Sequence, residues 1–132
     1  MEQYVSYITL GSSDMSRSCG FYQNCLELPK LKSPPGVHFF SLGHTRLAIW
    51  SRESLATNAD LTSMGTGFQG FCLSHNVRSH EEVDSLLSRV AAGGGTVTRS
   101  AHTTNWGGYA GYFTDPDGFL WEVVYNPKFF QA

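Results

Sequence analysis

The pattern of apolar and polar residues in the first half of the chain predicts one helix among four strands. Residues 4–10 alternate as a strand does, and apolar residues then recur at helical spacing from Met15. Pro29 ends this predicted helix, because proline cannot continue the helical hydrogen bonding. Three further alternating segments predict strands at residues 31–32, 37–42 and 45–51.

The second half of the chain repeats this order of elements. Residues 68–77 predict a strand, and Ser79 with Glu82 has the spacing of a capping box, in which each side chain accepts a backbone N–H at the start of a helix. Residues 93–95 are all glycine and end that helix. Three more strands are predicted at residues 96–100, 109–114 and 119–125.

Between the two halves, residues 53–67 are rich in Ser, Thr, Asn and Gly and predict a linker. We therefore expect one α+β domain over residues 1–132, built from tandem βαβββ modules at about 1–52 and 68–127. Each helix covers one face of its sheet and leaves the other face concave. Two such modules predict a half-open, barrel-like sheet around a central cavity.

Composition and charge limit the classes of molecule that this protein can bind. A chain of 132 residues, 41% of them hydrophobic, suffices for one core. The formal net charge is -2, and the nine basic residues are dispersed, which excludes the clustered basic surface that nucleic acid requires. No apolar stretch approaches the ~20 residues of a membrane span, and from the polar residues after Met1 we expect no signal peptide. Three cysteines predict free thiols rather than a disulfide framework. We expect a cytoplasmic protein whose partner is a small molecule of little net charge.

Two motifs resemble the vicinal oxygen chelate superfamily, which includes glyoxalases, bleomycin resistance proteins and extradiol dioxygenases. The first extends from Asp14 to Tyr22 and the second from Tyr112 to Glu122. The resemblance covers nearly the whole chain and implies the tandem βαβββ fold. It also implies a homodimer. The reaction stays open, because this fold carries lyases, oxygenases, isomerases and non-catalytic drug-binding proteins.

The resemblance further implies positions for a divalent metal ion on the inward faces of the strands. In this sequence they fall on Tyr7, Gly70 and Glu122. Only Glu122 is a good ligand, whereas a catalytic ion commonly needs about three protein ligands. We therefore expect no family metal and no other cofactor. The alternative is a displaced divalent-metal site formed by Glu122, Tyr7, His75 and His102.

Two histidines bear on that alternative. Strand alternation turns His75 to the helix-covered face, where we expect a hydrogen-bonded core histidine. His102 is expected in the loop before Trp106, from which it could reach a ligand in the cavity.

Alternation with a period of two also predicts the wall of the cavity. Its mixture of aromatic, apolar and a few polar residues suits a small organic molecule, although the same residues could instead fill a closed core. Trp106 precedes two glycines and could close over a ligand. The predicted wall consists of Tyr7, Thr9, Phe39, Ala48, Trp50, Cys72, Ser74, Ala110, Tyr112, Leu120, Glu122 and Val124.

Glu122 is the candidate catalytic residue. A carboxylate on an inward strand face is costly to bury without a partner, so desolvation would favour its protonated form and suit it to act as a general acid or base. The carboxylate could equally be solvated, or be held by Tyr7, Thr9 or Arg46.

These observations lead to a hypothesis with two alternatives. The hypothesis is a protein of the glyoxalase, bleomycin resistance and dioxygenase type that binds a small organic molecule in a metal-free cavity. The first alternative is a divalent-metal-dependent lyase, isomerase or dioxygenase with displaced ligands. The second is a non-catalytic protein that sequesters a drug or metabolite. The sequence leaves open whether the bound molecule is transformed.

Overall fold

The computed structural model describes residues 1–130, which divide into two compact units with a boundary after Gly65. Each unit contains one four-stranded mixed sheet with helix packed on it, and neither sheet is closed into a barrel. The predicted α+β class and the tandem βαβββ repeat are confirmed. No helix within residues 1–130 is long and apolar enough to cross a membrane.

The first unit places its strands in the order β1-β4-β3-β2. The strand β1 is parallel to β4, whereas the β3–β4 and β2–β3 pairs are antiparallel. Its elements are β1 (Tyr7–Ser12), α1 (Met15–Gly20), a π-helical turn (Phe21–Cys25), β2 (Lys30–Leu31), β3 (Val37–Leu42), β4 (Thr45–Ser51) and α2 (Arg52–Asn58).

The first helix, α1, is shorter than the helix that the sequence predicts. Asp14 caps α1 by accepting a hydrogen bond from the backbone N–H of Arg17 at 3.0 Å. The π-helical turn then ends the helix well before Pro29, and Glu27 follows it with a φ of 58°. The wider turn puts Tyr22 in the core, with no exposed surface. The prediction of a regular helix as far as Pro29 is therefore wrong.

Alternation along the strands separates two faces of the first sheet. Phe40 on β3 and Leu47 on β4 are directly opposite each other and fully buried, and the Phe40 ring contacts the Tyr22 ring of the π-helical turn. Side chains at the intervening positions, such as Phe39 and Ala48, therefore lie on the face that this helix leaves uncovered.

The predicted linker begins with a helix that belongs to the first unit. Ser51 caps α2 by accepting a hydrogen bond from Ser54 N at 3.2 Å. The backbone of Gly11 passes close to this helix, since a Cβ at that position would lie 2.9 Å from Arg52 Cα. The linker prediction is thus wrong for the residues of α2, because a short capped helix shows no sustained apolar period.

The second unit repeats the arrangement with the strand order β5-β8-β7-β6. The strand β5 is parallel to β8, and the other two pairs are antiparallel. Its elements are β5 (Leu73–Val77), α3 (His80–Ala92), β6 (Thr96–Thr103), β7 (Tyr109–Thr114) and β8 (Leu120–Tyr125).

The strand β5 begins later than the predicted strand at residues 68–77. Gly70 has a φ of 84° and lies outside the strand, so the expectation of an inward-facing strand position at Gly70 is wrong. Positive φ values at such glycines favour turns over extended strands.

The capping box of α3 forms in a modified version. Ser79 Oγ accepts a hydrogen bond from Glu82 N at 3.1 Å, as predicted. The Glu82 carboxylate accepts from Arg78 N at 2.6 Å, one residue earlier than the reciprocal bond to the Ser79 backbone that the motif predicts.

The helix α3 covers one face of the second sheet. Val83 and Val90 of the helix are fully buried, as is Val123 of β8. Gly111 permits this close packing, because a Cβ there would lie 2.5 Å from Leu87 Cδ1. The neighbouring residue Tyr112 therefore lies on the opposite, helix-free face.

Candidate functional site

Four polar side chains form a row across the helix-free face of the second sheet. The strand register places Ser74 opposite Glu122, Glu122 opposite Tyr112, and Tyr112 opposite Arg99. Each of the four strands therefore contributes one residue. We call Ser74, Glu122, Tyr112 and Arg99 the polar row.

Two hydroxyl groups hold the carboxylate at the centre of the polar row. Ser74 Oγ donates a hydrogen bond to Glu122 Oε1 at 3.0 Å, and the Tyr112 hydroxyl also donates to Glu122. The half-buried carboxylate thus has the partners that partial desolvation requires. Both donors belong to the second unit, so these hydrogen bonds differ from those considered for Tyr7, Thr9 and Arg46.

The hydrogen bond to Glu122 has a consequence for Tyr112. Donation to the carboxylate raises the pKa of the Tyr112 hydroxyl above its ordinary value, and partial burial and the Glu122 charge act in the same direction. The positive charge of Arg99 opposes this rise. The phenol is therefore a hydrogen-bond donor at neutral pH.

We expect replacement of Glu122 by glutamine to move the pKa of Tyr112 back toward that of an ordinary tyrosine. The raised pKa means that the hydrogen-bonded pair stabilises the fold at neutral pH, and that this contribution is lost as the pH rises through the pKa of Tyr112. Ultraviolet titration of the wild type against Tyr112→Phe isolates this ionisation. Glu81→Gln, in the first turn of α3, is the control that should leave it unchanged.

Cys72 lies beside the polar row, just before β5. Burial raises the pKa of the Cys72 thiol, the Ser74 hydrogen bond lowers it, and the Glu122 charge raises it again. The thiol is therefore protonated at neutral pH, which disfavours a role as nucleophile. All three cysteines are free thiols, as predicted.

Apolar residues flank the polar row on the same face. Ala110 and Val124 are directly opposite each other and buried, and Leu120 is half-buried. The predicted wall residues of the second module therefore share one face, with polar groups at its centre.

The wall residues predicted in the first module share the helix-free face of the first sheet. Thr9, Ala48 and Phe39 lie next to one another across three strands, and the Tyr7 and Phe39 rings contact each other with centroids 5.2 Å apart. Trp50 follows Ala48 by two residues and is half-buried on the same face.

Tyr7 is a poor ligand for a metal ion, because its hydroxyl oxygen already accepts a hydrogen bond from a positively charged side chain. Arg46 Nη1 donates a hydrogen bond to Tyr7 Oη at 3.1 Å. Gly70 supplies no side chain, and the partners of Glu122 in the second unit are neutral hydroxyl groups. This donor set does not fit a catalytic divalent ion of the zinc type, which commonly needs about three histidine, cysteine or carboxylate ligands.

Neither histidine of the alternative metal site has the surroundings that the sequence predicts. His75 is on the helix side of β5, as alternation predicts, but it is exposed and lines a groove beside α3, so it is not a core histidine. The reason is that α3 covers β6, β7 and β8, so that β5 lies at the uncovered edge of the sheet.

His102 lies in β6 rather than in a loop, opposite Ala110. It therefore shares the face of Glu122 in the neighbouring row, and its Nδ1 is 3.0 Å from the backbone oxygen of Ser100. In the part of the chain that the structure describes, no three His, Cys, Asp or Glu side chains group as metal ligands would.

Trp106 belongs to the loop between β6 and β7 and is half exposed. Its ring lies against Gly108, since a Cβ at that glycine would be only 2.2 Å from the ring. Gly108 thus allows the ring to fold back on its own loop, and a role of Trp106 in covering a ligand stays a prediction.

Arg99 is the member of the polar row that the sequence does not predict. The pairing of β6 with β7 is irregular on both sides of Arg99, so simple alternation assigns its residues to the wrong faces. The sequence carries no signal for these irregularities.

Comparisons with known proteins agree with this architecture. The family model of the Glyoxalase/Bleomycin resistance protein/Dioxygenase superfamily matches residues 4–123. A glyoxalase-related enzyme from Fulvimarina pelagi is 34% identical with a TM-score of 0.87, and the alignment covers 95% of this chain and 89% of that chain. No curated protein matches the chain.

Two more distant structures share the fold. A lactoylglutathione lyase from Agrobacterium tumefaciens is 23% identical with a TM-score of 0.71, and the alignment covers 97% of both chains. The fosfomycin resistance protein FosX from Listeria monocytogenes is 24% identical with a TM-score of 0.75, over 96% of this chain and 95% of that chain. At these identities the likeness extends to the fold alone.

Proposed function

Because the chain belongs to the glyoxalase/bleomycin resistance protein/dioxygenase superfamily, we propose that it binds a small, partly apolar organic molecule that the Glu122 carboxylate orients. The observation that carries this proposal is the carboxylate of Glu122 held by Ser74 and Tyr112 on a helix-free sheet face. Apolar residues beside it supply contact area for the rest of the ligand.

The hydrogen bonds of Glu122 leave it able to bind a ligand. A carboxylate has about four acceptor positions, and Ser74 and Tyr112 use two of them. The other positions can accept hydrogen bonds from a ligand hydroxyl, amide or ammonium group. Because both protein donors fix the carboxylate, little side-chain entropy is lost on binding.

We propose that this binding needs no divalent ion. The support for this is the chemistry of the family positions: a cation bonded to Tyr7, a glycine at position 70, and hydroxyl groups around Glu122. The metal-dependent lyase, isomerase or dioxygenase is therefore the alternative function, and metal analysis of the purified protein tests it.

We propose that the protein acts in the cytoplasm as a homodimer. Phe129 and Phe130 near the end of the chain are 56% and 43% exposed, and their rings contact each other. Such an apolar patch is stabilised when a second surface covers it.

The experiment combines metal analysis with ligand screening. Protein purified without chelators is expected to hold less than a stoichiometric amount of any divalent ion. Small aromatic and aliphatic compounds that raise the melting temperature should bind about 10-fold to 100-fold more weakly to Glu122→Gln, because a charged hydrogen bond is lost.

Glu81→Gln, which removes a carboxylate of α3 outside the polar row, should bind these compounds as the wild type does. One tightly held divalent ion per chain, lost in Glu122→Gln, would instead establish the metal-dependent alternative. Analysis of each stabilising compound for products separates an enzyme from a sequestering protein.

A further inference from the structure

Arg99 ends the polar row, and the proposed function makes no use of it. Regular pairing from Val97, which lies opposite Phe113, would place Thr98 opposite Tyr112. The irregularity after Val97 puts Arg99 there instead. Bulges of this kind redirect a side chain and are frequent beside functional sites. The local backbone of β6 thus brings a guanidinium to the face that carries Glu122.

The charge of Arg99 acts on this face. Arg99 is paired with Tyr112 on the neighbouring strand, and its positive charge lowers the pKa of the Tyr112 hydroxyl. Arg99 is exposed and forms no ion pair within residues 1–130. Its donors are therefore available to an anionic group of a ligand, which a guanidinium binds through two parallel hydrogen bonds.

The two charges of the row are separated by one strand. Neighbouring strands are about 4.8 Å apart, so the backbone positions of Arg99 and Glu122 are separated by about 10 Å, with Tyr112 between them. A ligand that spans this separation lies over the Tyr112 ring. Its ends meet opposite charges, while its middle meets an aromatic surface.

We propose that the polar row binds a zwitterionic small molecule, with its carboxylate on Arg99, its ammonium group on Glu122 and an apolar or aromatic middle over Tyr112. This inference rests on the proposed function and names its ligand class. A zwitterion carries no net charge, in keeping with a chain whose formal net charge is only -2.

Three probes of similar size test the proposal. 4-(Aminomethyl)benzoate carries both charges on one ring, benzoate carries only the anion, and benzylamine carries only the cation. Titrations at neutral pH, followed by calorimetry or by NMR, are expected to show that the doubly charged probe binds at least about 10-fold more tightly than either of the others.

Three substitutions assign the two charges. Arg99→Gln should reduce the affinity for 4-(aminomethyl)benzoate about 10-fold to 100-fold, to that for benzylamine, and Arg99→Lys should have a smaller effect because it keeps the charge. Glu122→Gln should reduce the affinity to that for benzoate. Arg89→Gln, on the helix that covers the opposite face, should change neither.

The outcomes separate this inference from the proposed function. If Glu122→Gln weakens the amine-bearing probes but Arg99→Gln leaves all affinities unchanged, the zwitterion proposal is overturned and the proposed role of Glu122 stands. If Glu122→Gln binds every probe as the wild type does, both proposals fail. Circular dichroism of each variant confirms that a lost affinity does not come from unfolding.

Discussion

Replacement of Phe113 by alanine is expected to lower the free energy of unfolding by about 3–5 kcal/mol. The Phe113 side chain is 1% exposed, and its ring is parallel to that of Trp121 with centroids 6.1 Å apart. Truncation removes the burial of a ring and leaves a cavity beneath α3. Chemical denaturation followed by tryptophan fluorescence measures the loss.

The size of this loss is large against the 5–15 kcal/mol that stabilises a typical protein. Phe68→Ala is the matched control, because the Phe68 side chain is 73% exposed and should cost no more than about 0.5 kcal/mol. Equal losses in the two variants would show that Phe113 does not belong to the core of the second unit.

Replacement of Asp115 by alanine is expected to cost about 3 kcal/mol. This carboxylate is 3% exposed and closes the turn between β7 and β8, where Oδ1 accepts hydrogen bonds from Asp117 N and Phe119 N, both at 2.9 Å. Alanine leaves the buried Phe119 N–H and the part-buried Asp117 N–H without this acceptor. The same denaturation experiment measures the effect.

Asp115→Asn keeps an oxygen that can accept from the same backbone groups, and it should therefore cost less than the alanine substitution. A loss in Asp115→Ala no larger than that in Asp115→Asn would contradict this account of the turn. The turn also fixes the strand register that sets Tyr112 opposite Glu122. A less ordered turn should therefore weaken the hydrogen bond between these two side chains.

Strands that are joined by tight turns could be predicted from the sequence to the residue. The strands β3 and β4 have the predicted bounds, because Gly43 and His44 form a two-residue turn that fixes both the ends and the register. The start of α3 followed in the same way from the spacing of Ser79 and Glu82.

Elements that depend on packing could not be predicted as well. A π-helical turn has no characteristic spacing of apolar residues, so the early end of the first helix could not be predicted from the sequence. The strand β6 extends to Thr103, beyond the predicted end, because its irregular pairing with β7 breaks the alternation on which the prediction relied.

The candidate site also has one part that the sequence predicts and one part that it does not. Alternation placed Ser74, Tyr112 and Glu122 on one face, and the structure brings these three side chains together by hydrogen bonds. The bonds themselves depend on the register between strands far apart in sequence, which alternation does not determine. The position of Arg99 on this face depends on an irregularity in the pairing of β6 with β7, and no periodic pattern in the sequence predicts such an irregularity.

The strand order of the second unit affects when the protein can begin to function during synthesis. The strand β8 follows β5, β6 and β7 in sequence, yet it lies between β5 and β7 in the sheet. On the ribosome, β5 therefore has no neighbour in its sheet until β8 emerges. Glu122, carried by that strand, meets Ser74 across a separation of 48 residues. The nascent chain therefore gains the carboxylate that we propose binds the ligand at the same time as the middle of its sheet.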